Sequence, residues 1–251
     1  MHKIRKRVIV WMTFQGGLKI VLSLWLALMI IFILTYELPA TKTWTYWTMP
    51  LSGKVIALDA GHGGVDGGAK SKDGLVEKNI NLGITLYLRD YLQQAGAVVV
   101  MTREEDKDLA DDHTKGYSRR KTEDLIQRVQ FVNQYKSDLF VSVHLNSIPS
   151  SRYSGAQTFY SLSNSDNPIL ATLIQNELKD NLLNTERVAK SAKTLYLLKS
   201  LKMPSALVEV GFLSNPEEAK LMADQTYQQK IAASIYQGIL RYCSGEKVGS
   251  L

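Results

Sequence analysis

Apolar and polar positions along the chain fall into two regimes. Residues 20–36, "IVLSLWLALMIIFILTY", are apolar with no interrupting charge. After residue 53, short apolar runs alternate with stretches of helical periodicity. The runs "KVIALDA" from Lys54, "AVVVMT" from Ala97, "DLFVSVHLN" from Asp138, "GAQTFYSL" from Gly155 and "SALVEV" from Ser205 predict strands, the first three buried on both faces. In "LVEKNINLGITLYLRDYLQQAG" the apolar residues Val76, Ile80, Ile84, Leu88 and Leu92 share one helix face, and Gly96 supplies the stop. A further helix is predicted to open at Glu123 and Asp124 and to run through Leu125, Val129 and Val132. "NPEEAKLM" starts another, with Asn215 as cap and Pro216 at the first position. Tyr227, Ile231, Ile235 and Ile239 mark a last amphipathic helix.

Strands that alternate with helices predict an α/β fold: a mostly parallel twisted sheet with helices on both faces. In such sheets ligands bind beyond the carboxyl ends of the strands. No internal repeat or low-complexity stretch divides the chain, so residues 53–242 read as one domain. Residues 37–52 form its linker and 243–251 a loose tail.

Charge explains the first segment. Lys3, Arg5, Lys6, Arg7 and Lys19 precede or border the apolar run, and residues 1–19 contain no acidic side chain. Basic residues stay cytoplasmic, so residues 20–36 predict one N-terminal membrane helix with everything after it exported. The stretch "LPA" at 38–40 has Leu where a cleavable signal wants a small residue. An uncleaved anchor is therefore favoured over a signal sequence. Trp44, Tyr46 and Trp47 would form an aromatic belt at the outer surface. The same five cations account for most of the net charge of +6, leaving 25 basic and 24 acidic residues elsewhere. That balance gives no electrostatic footprint for nucleic acid. The single cysteine, Cys243, rules out an internal disulfide, so an exported domain must rest on its core, a metal, or both.

Three predicted strands end in residues that an inert core would not choose. His62 follows "VIALDAG", His144 closes "LFVSVH" and Glu209 interrupts "ALVEVG", while Glu77 stands in the first turn of a helix. A lone histidine can be a hydrogen-bonded structural residue, and Glu77 alone can complement a helix dipole. Glu209 is harder to dismiss, since a carboxylate in an apolar strand costs several kcal/mol unless paired or near a cation. Parallel strands would put His62, His144 and Glu209 on one sheet edge, and the turn back into the helix can bring Glu77 to the same edge. Two imidazoles and a carboxylate with one position open make a catalytic zinc arrangement, and the remaining carboxylate can carry protons. Asp59 is expected to orient His62 through its second ring nitrogen. The glycines of "GHGGVDGGAKS" do not make a nucleotide loop. Asp66 stands where G-x-G-x-x-G needs glycine, and Ala69 replaces the Walker glycine before Lys70 and Ser71. They would instead let a polymeric substrate approach closely.

Six ordered stretches between residues 53 and 242 carry a resemblance: "LDAGHGGVDGGA", "LVEKNINL", "VVMTRE", "LIQRVQFVN", "SVHLNS" and "LVEVGFLSN". Together they resemble the zinc-dependent N-acetylmuramoyl-L-alanine amidases, whose fold is zinc exopeptidase-like. "KGYSRRKTEDL" and the single anchor narrow the likeness to the germination-specific branch of endospore formers. The resemblance implies zinc on His62, Glu77 and His144, with Glu209 as the catalytic carboxylate. It implies peptidoglycan as substrate, cut between muramic acid and the L-alanine of the stem peptide. For that branch it further implies spore cortex in the space between forespore and mother-cell membranes, muramic δ-lactam formation, and a polysaccharide deacetylase acting next. Asn146 or Arg103 would bind the developing oxyanion or a stem-peptide carboxylate. Arg128 is read as a substrate contact or as helix pairing, and Arg119 and Arg120 as part of a solvated charged loop. "SIPSSRYSG" after His144 is loose enough to gate the site. A zinc exopeptidase and a non-catalytic wall-binding adaptor remain as alternatives. An adaptor has no need of a spare buried carboxylate beside three ligands.

Overall fold

The computed structural model describes residues 13–35 and 49–248. The chain divides into two units, 1–48 and 49–251. In the first, helix α1 spans Phe14–Thr35, and its stretch Phe14–Ile33, of mean hydropathy 2.3, is long and apolar enough to cross a membrane. It begins six residues before the apolar run because Thr13 starts it. The amide of Gly17 donates to the Thr13 carbonyl at 2.9 Å and that of Gly16 to Thr13 Oγ1 at 3.2 Å. The basic residues 3–7 and the aromatic residues Trp44, Tyr46 and Trp47 lie outside the described residues.

The second unit is built on a six-stranded sheet of order β2-β1-β3-β6-β4-β5. Its strands are β1 (Val55–Ala60), β2 (Val98–Met101), β3 (Leu139–Asn146), β4 (Gln157–Tyr160), β5 (Lys190–Ser191) and β6 (Ser205–Phe212). All neighbouring pairs are parallel except β4 and β6, which run antiparallel. The helices are α2 (Glu77–Gln94), α3 (Tyr117–Gln134), α4 (Asn167–Leu182), α5 (Tyr196–Ser200), α6 (Pro216–Met222) and α7 (Gln225–Cys243).

Strand periodicity sorts side chains between two layers. Ile56, Leu58, Val141, Val143, Ala206 and Val208 point into the larger core, beneath α2, α4 and α7. Ala57, Phe140 and Leu207 point the other way, into a smaller core under α3 and α5. By the same alternation Asp59, Ser142, His144 and Glu209 all fall on the smaller-core face. The register sets them in rows: Asp59 beside Ser142, Ser142 beside Leu207, and His144 beside Glu209. The polar site therefore occupies the carboxyl end of the sheet on its thinly covered side.

Several expected elements shift. The run "AVVVMT" forms an edge strand with Val98 exposed, not a strand buried on both faces. Helix α3 opens at Tyr117, two turns before Glu123. Its polar first turns are held from outside, by Arg120 on Asp108 and by Tyr117 and Lys121 on Asp66. Asp124 then lies mid-helix, buried against Arg128. Helix α4 was not anticipated, although Pro168 in its first turn and buried Leu170, Ala171, Leu173, Ile174 and Leu178 signal it. The caps at α6 and α7 are as their sequences suggest. Asn215 accepts from the amides of Glu217 and Glu218, and Asp224 from that of Thr226.

Helices α4 and α7 meet at a glycine. A Cβ on Gly238 would lie 2.5 Å from Ile174 Cα and 2.8 Å from its amide nitrogen, both main-chain atoms. Gly238→Ala is expected to cost about 1–3 kcal/mol by forcing the helices apart. Thermal or denaturant unfolding checks this, and an unchanged midpoint would show that the helices do not pack so closely.

Candidate metal centre

Strand β1 ends at Ala60 and the chain turns into a glycine-rich loop. His62 takes φ 63°, a left-handed backbone that costs a side-chain-bearing residue about 1–2 kcal/mol. The glycines around it make room for the site itself. A Cβ on Gly61 would lie 2.2 Å from the His144 ring, and one on Gly68 would lie 2.5 Å from Glu77 Oε2 and 2.7 Å from His62 Cδ2. Space expected to admit substrate is thus filled at these two positions by His144, Glu77 and His62.

Glu77 opens α2 and is only 3 % exposed. Its Oε2 accepts from the Ala69 amide at 2.8 Å and its Oε1 from the Leu145 amide at 3.0 Å. His62 Nε2 and His144 Nδ1 lie 3.1 and 3.2 Å from that same Oε1. The two rings stand edge to face with centroids 5.0 Å apart. One donor atom from each of His62, Glu77 and His144 lies within 4.8 Å of the others, so these three side chains can hold a metal ion. Two imidazole nitrogens and a carboxylate oxygen in so small a space fit a divalent ion of zinc's chemistry.

Electrostatics point the same way. Burial would lower the pKa of His62, but hydrogen bonds to Asp66 and Glu77 outweigh it and raise the value to about 9. Without a metal the imidazole is therefore held as a cation among carboxylates. Burial would raise Glu77, yet the two histidines hold it well below the usual carboxylate range. Glu209 differs. It sits opposite His144 on β6, its Oε2 is buried with no hydrogen-bond partner, and burial together with the Glu77 charge raises its pKa despite both histidines. Just beyond this pair β6 carries an extra residue, since Asn146 pairs with Phe212. A small cavity of about 100 Å³ opens beside His62 and His144, lined also by Lys121, Leu125 and Leu197.

The residue that orients His62 is Asp66, not Asp59. Asp66 Oδ2 lies 2.9 Å from His62 Nδ1, and Asp66 also accepts from Tyr117 Oη at 2.8 Å and pairs with Lys121. A carboxylate four residues after the histidine was the available signal. Asp59 is committed elsewhere, to Thr102, Ser142 and Arg128. Arg103 is not free to bind substrate, because it is buried and spends its donors on main-chain carbonyls. Arg128 is likewise buried and does pair with Asp124 along its helix. Arg120 fastens the loop before α3 through Asp108 rather than floating in solvent, whereas Arg119 is exposed. The Asn146 carbonyl accepts from the Leu213 amide.

The sequence profile of the N-acetylmuramoyl-L-alanine amidases matches residues 56–241. The chain belongs to the N-acetylmuramoyl-L-alanine amidase family. The germination-specific N-acetylmuramoyl-L-alanine amidase of Bacillus subtilis is 50% identical over 232 residues, 92% of this chain and 94% of that protein. Among solved structures, the CwlD amidase of Clostridioides difficile, in complex with the GerS lipoprotein, is 45% identical with a TM-score of 0.75, covering 76% of this chain and 99% of that one. The catalytic domain of the CwlV amidase of Bacillus (Paenibacillus) polymyxa is 31% identical with a TM-score of 0.66, covering 76% of this chain and 98% of that one. As an amidase, the chain is an enzyme, and the His62–Glu77–His144 cluster lies within the matched region.

Around the amidase site, the buried ion pair of Asp59 and Arg128 offers a test in pH. Burial would raise the pKa of Asp59, but Arg128, the nearby His144, Ser142 and Thr102 hold it well below the usual range. A depressed carboxylate contributes stability above its unfolded-state pKa and loses it as acid protonates the unfolded chain. Asp59→Asn is expected to cost about 1–3 kcal/mol at neutral pH, because Arg128 is left with Asp124 alone and the donors of Thr102 and Ser142 lose a charged acceptor. The gap to wild type should stay level above about pH 5 and narrow as pH falls through about 4. Denaturant unfolding across pH measures it, and a gap that widens in acid would contradict the assignment.

Proposed function

We propose that this amidase is zinc-dependent and hydrolyses the amide between muramic acid and the L-alanine of the stem peptide in spore-cortex peptidoglycan. The observation that carries the zinc reading is the meeting of three donor atoms within 4.8 Å beside a buried carboxylate oxygen, Glu209 Oε2, that has no partner. His62, Glu77 and His144 would hold the ion. Zinc bound there supplies Lewis acidity, which polarises an amide carbonyl and acidifies water.

The chain's own residues then have separable tasks. Asp66 holds the His62 ring by its Nδ1, leaving Nε2, beside Glu77 Oε1, as the nitrogen that would hold the ion. Glu209 Oε2 takes a proton from the attacking water and returns it to the departing L-alanine nitrogen. Its raised pKa suits that exchange, because burial disfavours the charged form and the carboxyl holds its proton more readily. Leu125 and Leu197 give the cavity an apolar border. Helix α1 would fix the enzyme to a membrane with its catalytic unit outside the cytoplasm, in the forespore–mother-cell space. The likeness to the germination-specific enzyme of Bacillus subtilis supports a cortex substrate. Muramic acid freed of its stem would pass to a polysaccharide deacetylase and close to the δ-lactam.

The test combines metal content with product analysis. Glu209→Gln should bind zinc as wild type does yet lose about 10²–10⁴-fold in turnover on cortex muropeptides. His62→Ala, Glu77→Ala and His144→Ala should each lose the metal, measured by elemental analysis after gel filtration. Intact stem peptides with L-alanine at the amino end should appear with wild type. Single amino acids instead would indicate an exopeptidase, and no product at all a binding protein. Wild-type turnover in Glu209→Gln would remove Glu209 from the mechanism.

A further inference from the structure

Two guanidiniums, from Arg103 and Arg128, converge behind the site at 2 % and 1 % exposure. They capture three consecutive carbonyl oxygens where β1 turns into the left-handed residue. Arg128 Nη2 donates to His62 O at 2.7 Å and its Nη1 to Ala60 O at 3.1 Å. Arg103 Nε donates to Ala60 O at 2.8 Å and its Nη2 to Gly61 O at 3.0 Å. That same Nη2 donates to Lys78 O at 2.7 Å. Gly61 precedes His62 and Lys78 follows Glu77, so one nitrogen ties together the two segments that bear these side chains. Arg128 is itself fixed from behind by Asp124 and Asp59, and Asp59 accepts from Ser142, two residues before His144.

We infer that Arg103 and Arg128 are positioning residues of the metal centre, setting the separation of His62 and Glu77 through the main chain rather than by touching substrate or ion. The inference rests on the metal reading above. A buried cation is ordinarily matched by carboxylates. Arg103 is hydrogen-bonded to carbonyls alone, of Ala60, Gly61, Lys78 and Glu105, which belong to three separate stretches of chain. A planar fork reaches all of them at once, and a lysine ammonium, a single point of charge, cannot. Were the role only to stabilise the fold, any loss of metal affinity would follow the loss of stability.

The test uses the full chain in detergent, titrated with zinc and with cobalt, whose absorption bands report ligand geometry. Arg103→Lys and Arg128→Lys are expected to weaken zinc binding about 10–100-fold and to shift the cobalt bands, with KM unchanged at saturating zinc. Asp124→Asn is the counterpart: it removes a rear contact of Arg128 and no carbonyl bond, so it should lower the unfolding midpoint and leave zinc affinity and cobalt bands as in wild type. Should either lysine variant fail to fold, the other carries the comparison. Wild-type affinity and spectra in the lysine variants, or affinity lost by Asp124→Asn in step with its stability, would overturn the inference. Failure of the metal reading itself is distinguishable, since wild type would then bind neither ion. In that case ring ¹⁵N resonances of His62 in the metal-free chain decide: a shift in Arg103→Lys supports positioning, and unchanged resonances overturn it.

Discussion

Glu77 offers one oxygen to two imidazole nitrogens, at 3.1 and 3.2 Å, while almost none of its surface reaches water. A carboxylate removed from solvent in this way is costly unless its lone pairs are matched and its charge is answered. The amides of Ala69 and Leu145 match the lone pairs, and the amino end of α2 adds its dipole. The charge is answered only in part. Asp66 contacts His62 and Glu209 lies in register with His144, so two further carboxylates share the pocket, of which Asp66 also pairs with Lys121. In the metal-free chain a proton on His62 makes up part of the difference, consistent with its pKa of about 9. A divalent cation bound among the same three side chains would do so more completely.

The fold separates stability from chemistry by layer. The larger core, under α2, α4 and α7, is apolar at alternate strand positions and close enough at Gly238 that helix main chains nearly touch. The opposite face has the smaller core and, at its carboxyl end, rows of polar side chains. There the backbone carries strain at His62 and two glycine positions already filled by neighbouring side chains. Such strain persists only where surrounding structure over-determines it. Here the restraint is electrostatic as well as steric, because the carbonyls of residues 60 to 62 have buried cations to satisfy.

Most of the architecture could be read from periodicity. The short apolar runs at 55–60, 139–146 and 205–212 read as strands, and the four-residue spacing of Ile80, Ile84, Leu88 and Leu92 marks one face of α2. The meeting of His62, Glu77 and His144 was also foreseeable, since parallel strands share a carboxyl edge and α2 begins at that edge. Less of the supporting detail was accessible. The polar first turns of α3 have no apolar stripe, so their helix depends on tertiary bonds to Asp66 and Asp108 that no local pattern announces. Asp59 and Asp66 are equally plausible partners for His62 by composition. The difference between them lies in strand direction, which turns Asp59 beneath the sheet end towards Ser142, and in the loop, which folds Asp66 back over the ring. The antiparallel course of β4 also leaves little trace in four residues.

Two glutamates beside the same histidines end in opposite electrostatic states, and their hydrogen bonds explain why. Glu77 accepts from two backbone amides and faces both imidazoles, so its ionised form is stabilised and its pKa falls. Glu209 lies within a strand, in a row between His144 and Gln157, where the neighbouring amides are used by the sheet. Its Oε2 therefore has no donor, and burial, joined by the Glu77 charge, outweighs both histidines and raises its pKa. Paired groups driven apart in this manner mark a division of labour in acid–base sites. The permanently charged member suits a cation, and the reluctant one suits a proton in transit. Placement decides which glutamate is which: Glu77 reaches the amides of Ala69 in the loop and Leu145 near the end of β3, whereas Glu209 Oε2, within its ladder, meets no donor.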